Sequence, residues 1–581
     1  MKVREAIIEA KKLFQEKEYK KSLKLYLSLS NNLPNDPGVK SFIGNIYREL
    51  NQLNDSHKYL EDAYKIKKSI ATAINLSNTL KALKIYNKAE EILLNHINET
   101  NEENFHLLLN NLSVIKDNQG YQNDAIDYLE RALEIEPNFT PAMINLANIL
   151  KSYDFSNTIN LERAESLYKK AIELDPTSYS SYVNLLDLLH KTNRLVEIPK
   201  LIKSIPNKIK DLNIFNVYLG CSLNDEKRFD EASRLLSNFS LLDESDIQLI
   251  KFEPIRLYFL ARSYDGLKKF NLAYKCFKQS KEITFNDPKY SLLKKDKFLN
   301  MVAARFEFFE SNSNLETLTN NYPENKKTKY FITGFPRSGT TLIDTILRSH
   351  NNIHSMEEKG SLKRTISKFS NSMMDLSYLE NLDAPSIESV RKFYEDDISR
   401  YYDNSKNIQI DRHPFHCIYA GEIKKIFPNS KIIFVTRNPL DVIFSCFTQN
   451  FKPQISTANF QNISDSQNLY EKCMKLWFLT SEILNIECHY IKYEDIIADF
   501  DNSILGVLEF LECEWDDSLK EYYETAKNRS IIKTASHSQV TKPLYKSSIE
   551  KWKDYIEFFD MKDDFTKLNQ ISLRFGYEPI T

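Results

Sequence analysis

Eight residues in the middle of the chain, Gly334-Phe-Pro-Arg337-Ser338-Gly339-Thr340-Thr341, have the types and spacing to grip an anion. An apolar run, Lys329 to Thr333, leads into two glycines that bracket a turn, and a helical pattern comes after them. In that construction the N–H groups of the turn and of the first helical residues converge, and the positive end of the helix adds to them. A nucleotide triphosphatase loop carries Lys-Ser/Thr after its second glycine. Here the residues are Thr340 and Thr341, so the lysine that reaches the outer phosphates is missing, and Arg337 inside the loop supplies the cation. The loop suits a 5'-phosphate carrying one further charged group, without the machinery of a magnesium-bound triphosphate. The whole chain has only 11 glycines, so two within six residues mark a turn that needs them.

A second segment, Lys431-Ile-Ile-Phe-Val-Thr-Arg437-Asn-Pro-Leu-Asp441-Val-Ile-Phe-Ser445, repeats the logic. A buried strand ends at Arg437, Asn438 caps a helix and Pro439 takes its first position, so another helix N-terminus opens where a guanidinium is delivered. Arg437 is a fork suited to phosphate and Ser445 adds a hydroxyl if the helix runs beside the ligand. Two anion sites on one sheet, neither with the triphosphatase lysine, fit a nucleotide phosphorylated at two positions.

On these two motifs, residues 328–555 resemble the sulfotransferase family, and the pair is similar to its 5'-phosphosulfate and 3'-phosphate motifs. The resemblance implies 3'-phosphoadenosine 5'-phosphosulfate as co-substrate, no metal, and a hydroxyl-bearing acceptor: a glycan, a peptide tyrosine or a small alcohol. It makes Arg337, Ser338, Gly339, Thr340 and Thr341 the 5'-phosphosulfate cradle, Arg437 with Ser445 the 3'-phosphate clamp, and Tyr493 the adenine contact. Ser536 and Lys551 match contacts from a loop that closes over the nucleotide. Glu358, the second acid of Ile353-His-Ser-Met-Glu357-Glu358, matches the base of protein-tyrosine sulfotransferases; a neighbouring acid and partial burial raise such a pKa. Arg412 stands where the family usually shows a lysine that stabilises the transferring sulfonate. His413 is a reserve base, since small-molecule sulfotransferases use histidine. Two departures concern recognition: Gln449 replaces an arginine that helps to hold the 3'-phosphate, and Gly360 replaces a substrate-contacting arginine.

These residues need a scaffold, and the sequence outlines one. Short apolar runs at 329–333, 353–356, 407–410, 431–436 and 487–492, most followed by helical patterns, predict a parallel sheet with crossover helices, which binds ligands beyond the C-terminal ends of its strands. Before residue 290 the pattern is helical and repetitive. Ala125, Leu129, Ala132 and Pro137 recur in step as Ala164, Tyr168, Ala171 and Pro176, as Ser22, Tyr26, Leu29 and Pro34, and as Ser56, Leu60 and Ala63; weaker copies begin at Ala89, Ile198, Ala232 and Ala273. The pattern resembles the tetratricopeptide repeat, in which small residues let helix pairs stack and proline ends the second helix. The predicted fold class is an N-terminal all-α tetratricopeptide-like solenoid at 1–290, a helical linker at 291–328, and a P-loop-like α/β sulfotransferase domain with a central parallel sheet at 329–581. Repeats fused ahead of such a domain resemble repeat-bearing bacterial sulfotransferases.

Composition narrows the function classes. With 78 basic and 80 acidic residues the formal net charge is -2, which offers no global field for nucleic acid or an acidic membrane. The charged start is no secretory signal, no run approaches the roughly 20 apolar residues of a membrane span, and seven scattered cysteines without Cys-x-x-Cys suit a reduced cytoplasmic protein. The ten histidines include no His-Glu-x-x-His. The expected protein is a cytoplasmic sulfotransferase whose repeats recruit the acceptor or a protein or peptide partner. The alternatives are an interaction scaffold with an inactive nucleotide-binding domain, and a P-loop kinase-like phosphotransferase, which needs a lysine where Thr340 stands.

Overall fold

A computed structural model describes residues 3–580 apart from 101, 103, 154–157, 244–246, 288–289, 291–292, 312–326, 529–539 and 560–564. By compactness the chain divides into two units, Met1–Leu189 with Lys203–Asp211, and His190–Ile202 with Leu212–Thr581.

The first unit is a series of helix pairs, such as Pro37–Glu49 with Leu53–Ile66 and Phe105–Gln119 with Gln122–Ile135. The recurring small and apolar residues fall on the buried stripe of each second helix: Ser22, Tyr26 and Leu29, then Ser56, Leu60 and Ala63, then Ala125, Leu129 and Ala132. Small side chains are needed because backbones approach closely, and a Cβ on Gly44 would sit 2.4 Å from Leu60 Cγ. The serines at these positions are satisfied: Ser22 donates to Ala10 O at 2.8 Å, and Ser56 Oγ lies 2.8 Å from Thr79 Oγ1.

The second unit begins with helices of the same kind. Asn213–Asp225 precedes Phe229–Ser237, and Glu253–Gly266 precedes Phe270–Asn286, with Ala232 and Ala273 fully buried. They belong to the same compact body as the sheet. Of the linker expected at 291–328, Asp296–Ser311 is a helix, and residues 291–292 and 312–326 lie outside the described residues. That helix is locked to the short Ala420–Ile426 helix of the sheet region: Phe309 covers Gly421 so closely that a Cβ there would meet its ring at 2.0 Å, and Arg305 pairs with Glu422 at 2.7 Å with both side chains buried.

The sheet is entirely parallel, in the order β2-β3-β1-β4-β5, from β1 (Tyr330–Thr333), β2 (Ile353–Glu357), β3 (Ile408–Arg412), β4 (Lys431–Thr436) and β5 (Cys488–Lys492). Each lies within two residues of its expected bounds, because near-continuous apolar runs are what a strand covered on both faces requires. Ile332, Ile410, Val435 and Ile491 share a core with Ile343, Ile346 and Leu347 of the Thr340–Ser349 helix, while Phe434 stacks on Trp477 at 4.4 Å. After β1 the chain runs to β2 and β3 on one side, and later to β4 and β5 on the other. The loops leaving β1 and β4 therefore flank the point where strand order reverses, where such sheets hold ligands. Among the described residues no helix is long and apolar enough to cross a membrane.

Candidate active site

The turn after β1 is tight because its neighbours leave no room. A Cβ at Gly334 would lie 2.5 Å from Val435 O, and one at Gly339 would lie 2.9 Å from the Tyr493 ring. Gly339 has φ +108° and caps the Thr340–Ser349 helix, so it also uses a conformation that side chains disfavour. Arg337 adopts φ +71°, an uncommon angle for a residue with a Cβ, and its Nε donates to Ser445 Oγ at 2.9 Å. Ser338 is buried within the turn, its Oγ accepting from Phe335 N at 3.3 Å, and Thr340 is buried at the first helical position.

The turn after β4 matches its motif. Asn438 Oδ1 accepts from the N–H groups of Leu440 and Asp441 at 3.0 and 3.4 Å, and Pro439 opens the Pro439–Thr448 helix. Arg437 is thereby turned toward the first loop. Its Nη1 donates to Arg337 O at 3.1 Å, its Nη2 donates to Ser548 O, and its guanidinium lies 4.8 Å from the Tyr493 ring centroid. Burial and the adjacent Arg437 charge push the Arg337 pKa down. An anion in the space that these two guanidiniums face would stabilise both.

Segment 540–555 closes the space. Asp441 Oδ2 accepts from Glu550 N at 2.7 Å, its Oδ1 accepts from Trp552 N at 3.2 Å, and Tyr493 Oη lies 2.7 Å from Ser548 Oγ. Lys551 forms an ion pair with Asp265 at 2.7 Å, and Tyr555 donates to the same carboxylate at 2.6 Å. The result is a cleft of 580 Å³ whose walls include Arg337, Thr341, Arg437, Ser445, Tyr493 and Lys551. Tyr258 and Arg262 line it from the Glu253–Gly266 helix, and Lys227 from the turn between Asn213–Asp225 and Phe229–Ser237. Sequence reading missed these three, since nothing separates them from other polar positions of a repeat. Ser548 and Tyr545 were missed as well, because they contribute through a loop that carries no motif.

Glu358 and Arg412 form a cluster of their own. Glu357 is the register partner of Arg412 across β2 and β3, and Glu358 comes next at φ +45°, its N–H donating to Arg412 O at 2.9 Å. Arg412 is fully buried, with Nη1 2.8 Å from Glu358, Nη2 3.1 Å from Glu357 and Nε 3.9 Å from Asp344. Arg348 sits 2.9 Å from Asp344 on the other side. Burial raises the Glu358 pKa, with Glu357 and Asp344 adding to the rise and Arg412 opposing it, while 34% of its side chain stays open to solvent. Expected to act separately, as base and as sulfonate stabiliser, Glu358 and Arg412 are joined here by an ion pair.

His413 accepts from Phe415 N at 3.1 Å, and burial, then the neighbouring His416, lower its pKa to about 3. His416 lies 3.2 Å from Asp411, which Tyr394 also contacts at 2.9 Å. Ser536 lies outside the described residues. Gln449 lines the cleft, and its backbone oxygen accepts from Lys281 at 2.6 Å. Gly360, at φ +70°, caps the Ser361–Phe369 helix.

Residues 330–517 match the sulfotransferase family, and residues 107–139 match the tetratricopeptide repeat. The chain is 24% identical over 438 residues to an uncharacterized protein of Aquifex aeolicus, covering 72% of this chain and 55% of that protein, so it spans about half the length of that relative. It is 23% identical over 290 residues to protein-tyrosine sulfotransferase 2 of Gallus gallus, covering 46% of this chain and 75% of that protein. Among solved structures, the sulfotransferase domain from the curacin biosynthetic pathway is 16% identical and covers 44% of this chain and 100% of that one, with a TM-score of 0.31.

Proposed function

We propose that this chain, in which residues 330–517 match the sulfotransferase family and residues 107–139 the tetratricopeptide repeat, transfers a sulfonate from 3'-phosphoadenosine 5'-phosphosulfate to a hydroxyl acceptor. The observation that carries the reading is the meeting of Arg337 and Arg437, from loops 100 residues apart, in one cleft. The two glycines let the turn pack tightly beside these guanidiniums, since a Cβ at Gly334 would strike Val435 O and one at Gly339 the Tyr493 ring.

When bound, the nucleotide supplies the sulfonate and a stable bisphosphate leaving group. The turn N–H groups, the Thr340–Ser349 helix N-terminus and Arg337 bind its 5' end and stabilise the charge that accumulates there. Arg437 and Ser445 hold the 3'-phosphate, and Tyr493, held between Gly339 and Arg437, offers a ring to the adenine. Segment 540–555 excludes water, with Lys551 shared between ligand and Asp265. Glu358 receives the acceptor's proton. Its raised pKa makes the carboxylate a better base than an ordinary one, and Arg412 keeps it ionised and fixes its direction. The surface of the first unit is available to recruit the acceptor or a partner protein.

Calorimetry tests the donor assignment. Adenosine 3',5'-bisphosphate binds without magnesium, and at least about tenfold more tightly than adenosine 5'-phosphate, as one more charge-assisted phosphate contact requires. Equal affinities for the two would sink it. Glu358→Gln keeps this binding and loses turnover on the order of 100-fold or more; turnover at the wild-type rate would remove Glu358 as base.

A further inference from the structure

The sheet domain provides two arginines to the cleft, and a third comes from the repeats. Tyr258 and Arg262 are four residues apart on the Glu253–Gly266 helix, hence on one face, and both line the cleft. Arg262 makes no hydrogen bond or ion pair with the described residues. Its guanidinium lies 6.0 Å from the Tyr258 ring centroid. The nearby acids are engaged elsewhere, Asp225 with Lys542 at 3.0 Å and Asp265 with Lys551 and Tyr555. Arg262 is open to water yet surrounded by protein; burial pushes its pKa down, and Tyr258, Cys221, Asp225 and Asp265 more than reverse this. Tyr545, in the same cleft, feels the charges of Arg337, Arg437 and Arg262 together.

The neighbours of that helix locate the charge. Lys281 of the adjacent Phe270–Asn286 helix donates to Gln449 O, and Tyr274 packs on Phe447 at 5.4 Å, so the helix pair abuts the last turn of the Pro439–Thr448 helix. This is the turn that carries Ser445 and ends at Gln449, the glutamine standing where the resemblance expects an arginine. We propose that Arg262, delivered by a repeat helix, is the guanidinium that grips the donor's 3'-phosphate beside Arg437 and Ser445, in place of the one absent at Gln449. This rests on the donor reading above. It makes the last repeats part of the nucleotide site and not only a platform for partners.

The test is calorimetry on the full chain and on Arg262→Met and Arg262→Lys, with adenosine 3',5'-bisphosphate and adenosine 5'-phosphate. Because Arg262 holds no hydrogen-bond or ion-pair partner among the described residues, both variants melt as the wild type does. For Arg262→Met, affinity for the bisphosphate falls roughly 10- to 100-fold while that for the 5'-phosphate stays within about twofold, and Arg262→Lys recovers part of the loss. Unchanged bisphosphate affinity, or an equal loss for both nucleotides, overturns the assignment. The first of these results leaves the donor reading intact if the wild type still prefers the bisphosphate. A wild type without that preference removes the donor reading, and this inference with it.

Discussion

Replacing Arg412 by methionine probes the charge cluster at the ends of β2 and β3. The guanidinium is fully buried and lies within 4 Å of Glu358, Glu357 and Asp344, of which Asp344 also has Arg348. Methionine fills much of the volume and removes the cation that Glu357 and Glu358 share. Removing one partner of a buried pair costs about 3–5 kcal/mol, which for a body of this size is a fall in Tm of roughly 4–6 °C. The pH dependence carries a sign. A carboxylate whose folded pKa is raised contributes stability present below its unfolded pKa and lost as pH rises through the folded value. Glu358 is already such a group, and losing Arg412, which opposes the rise, raises it further. The variant's deficit is therefore larger at pH 8 than at pH 5 in calorimetric melts. If Glu358 is the base, the acid limb of the pH–rate profile also moves to higher pH. A deficit that does not change with pH, together with an unmoved acid limb, would refute the reasoning.

Other perturbations read separate parts of the unit. Gly334→Ala places a methyl 2.5 Å from Val435 O, a backbone atom of the adjacent strand; it weakens adenosine bisphosphate binding at least about tenfold in calorimetry and costs roughly 1–3 kcal/mol in denaturant melts. Gly421→Ala puts a methyl against the Phe309 ring, at a position that does not line the cleft, so a loss of about 1–3 kcal/mol should come with unchanged nucleotide affinity per folded molecule.

The local grammar of the site was legible because it obeys short-range rules. Two glycines around an arginine, and an asparagine-proline pair after a buried strand, each specify their turn from within ten residues, and both turns form where the motifs stand. The strands were legible too, since a sheet covered on both faces leaves continuous apolar runs. What could not be read depends on pairing across the sheet or across the unit. Glu357 meets Arg412 through the register of β2 on β3, which no local pattern states, so sequence alone assigns Glu358 and Arg412 separate tasks. Arg262 looks like any polar residue on a repeat helix until the fold carries that helix to the cleft that Ser445 lines. Repeat pitch revealed the helix pairs but not that the later pairs share a compact body with the sheet.

Asp265 and Asp225 hold Lys551 and Lys542, so helices that precede the sheet in sequence anchor a segment that follows it. A chimera that exchanges the helical array would have to keep the stretch from Asn213 to Ser311 native. Swapping at the apparent seam before β1 would trade away part of the wall of the cleft along with the helices.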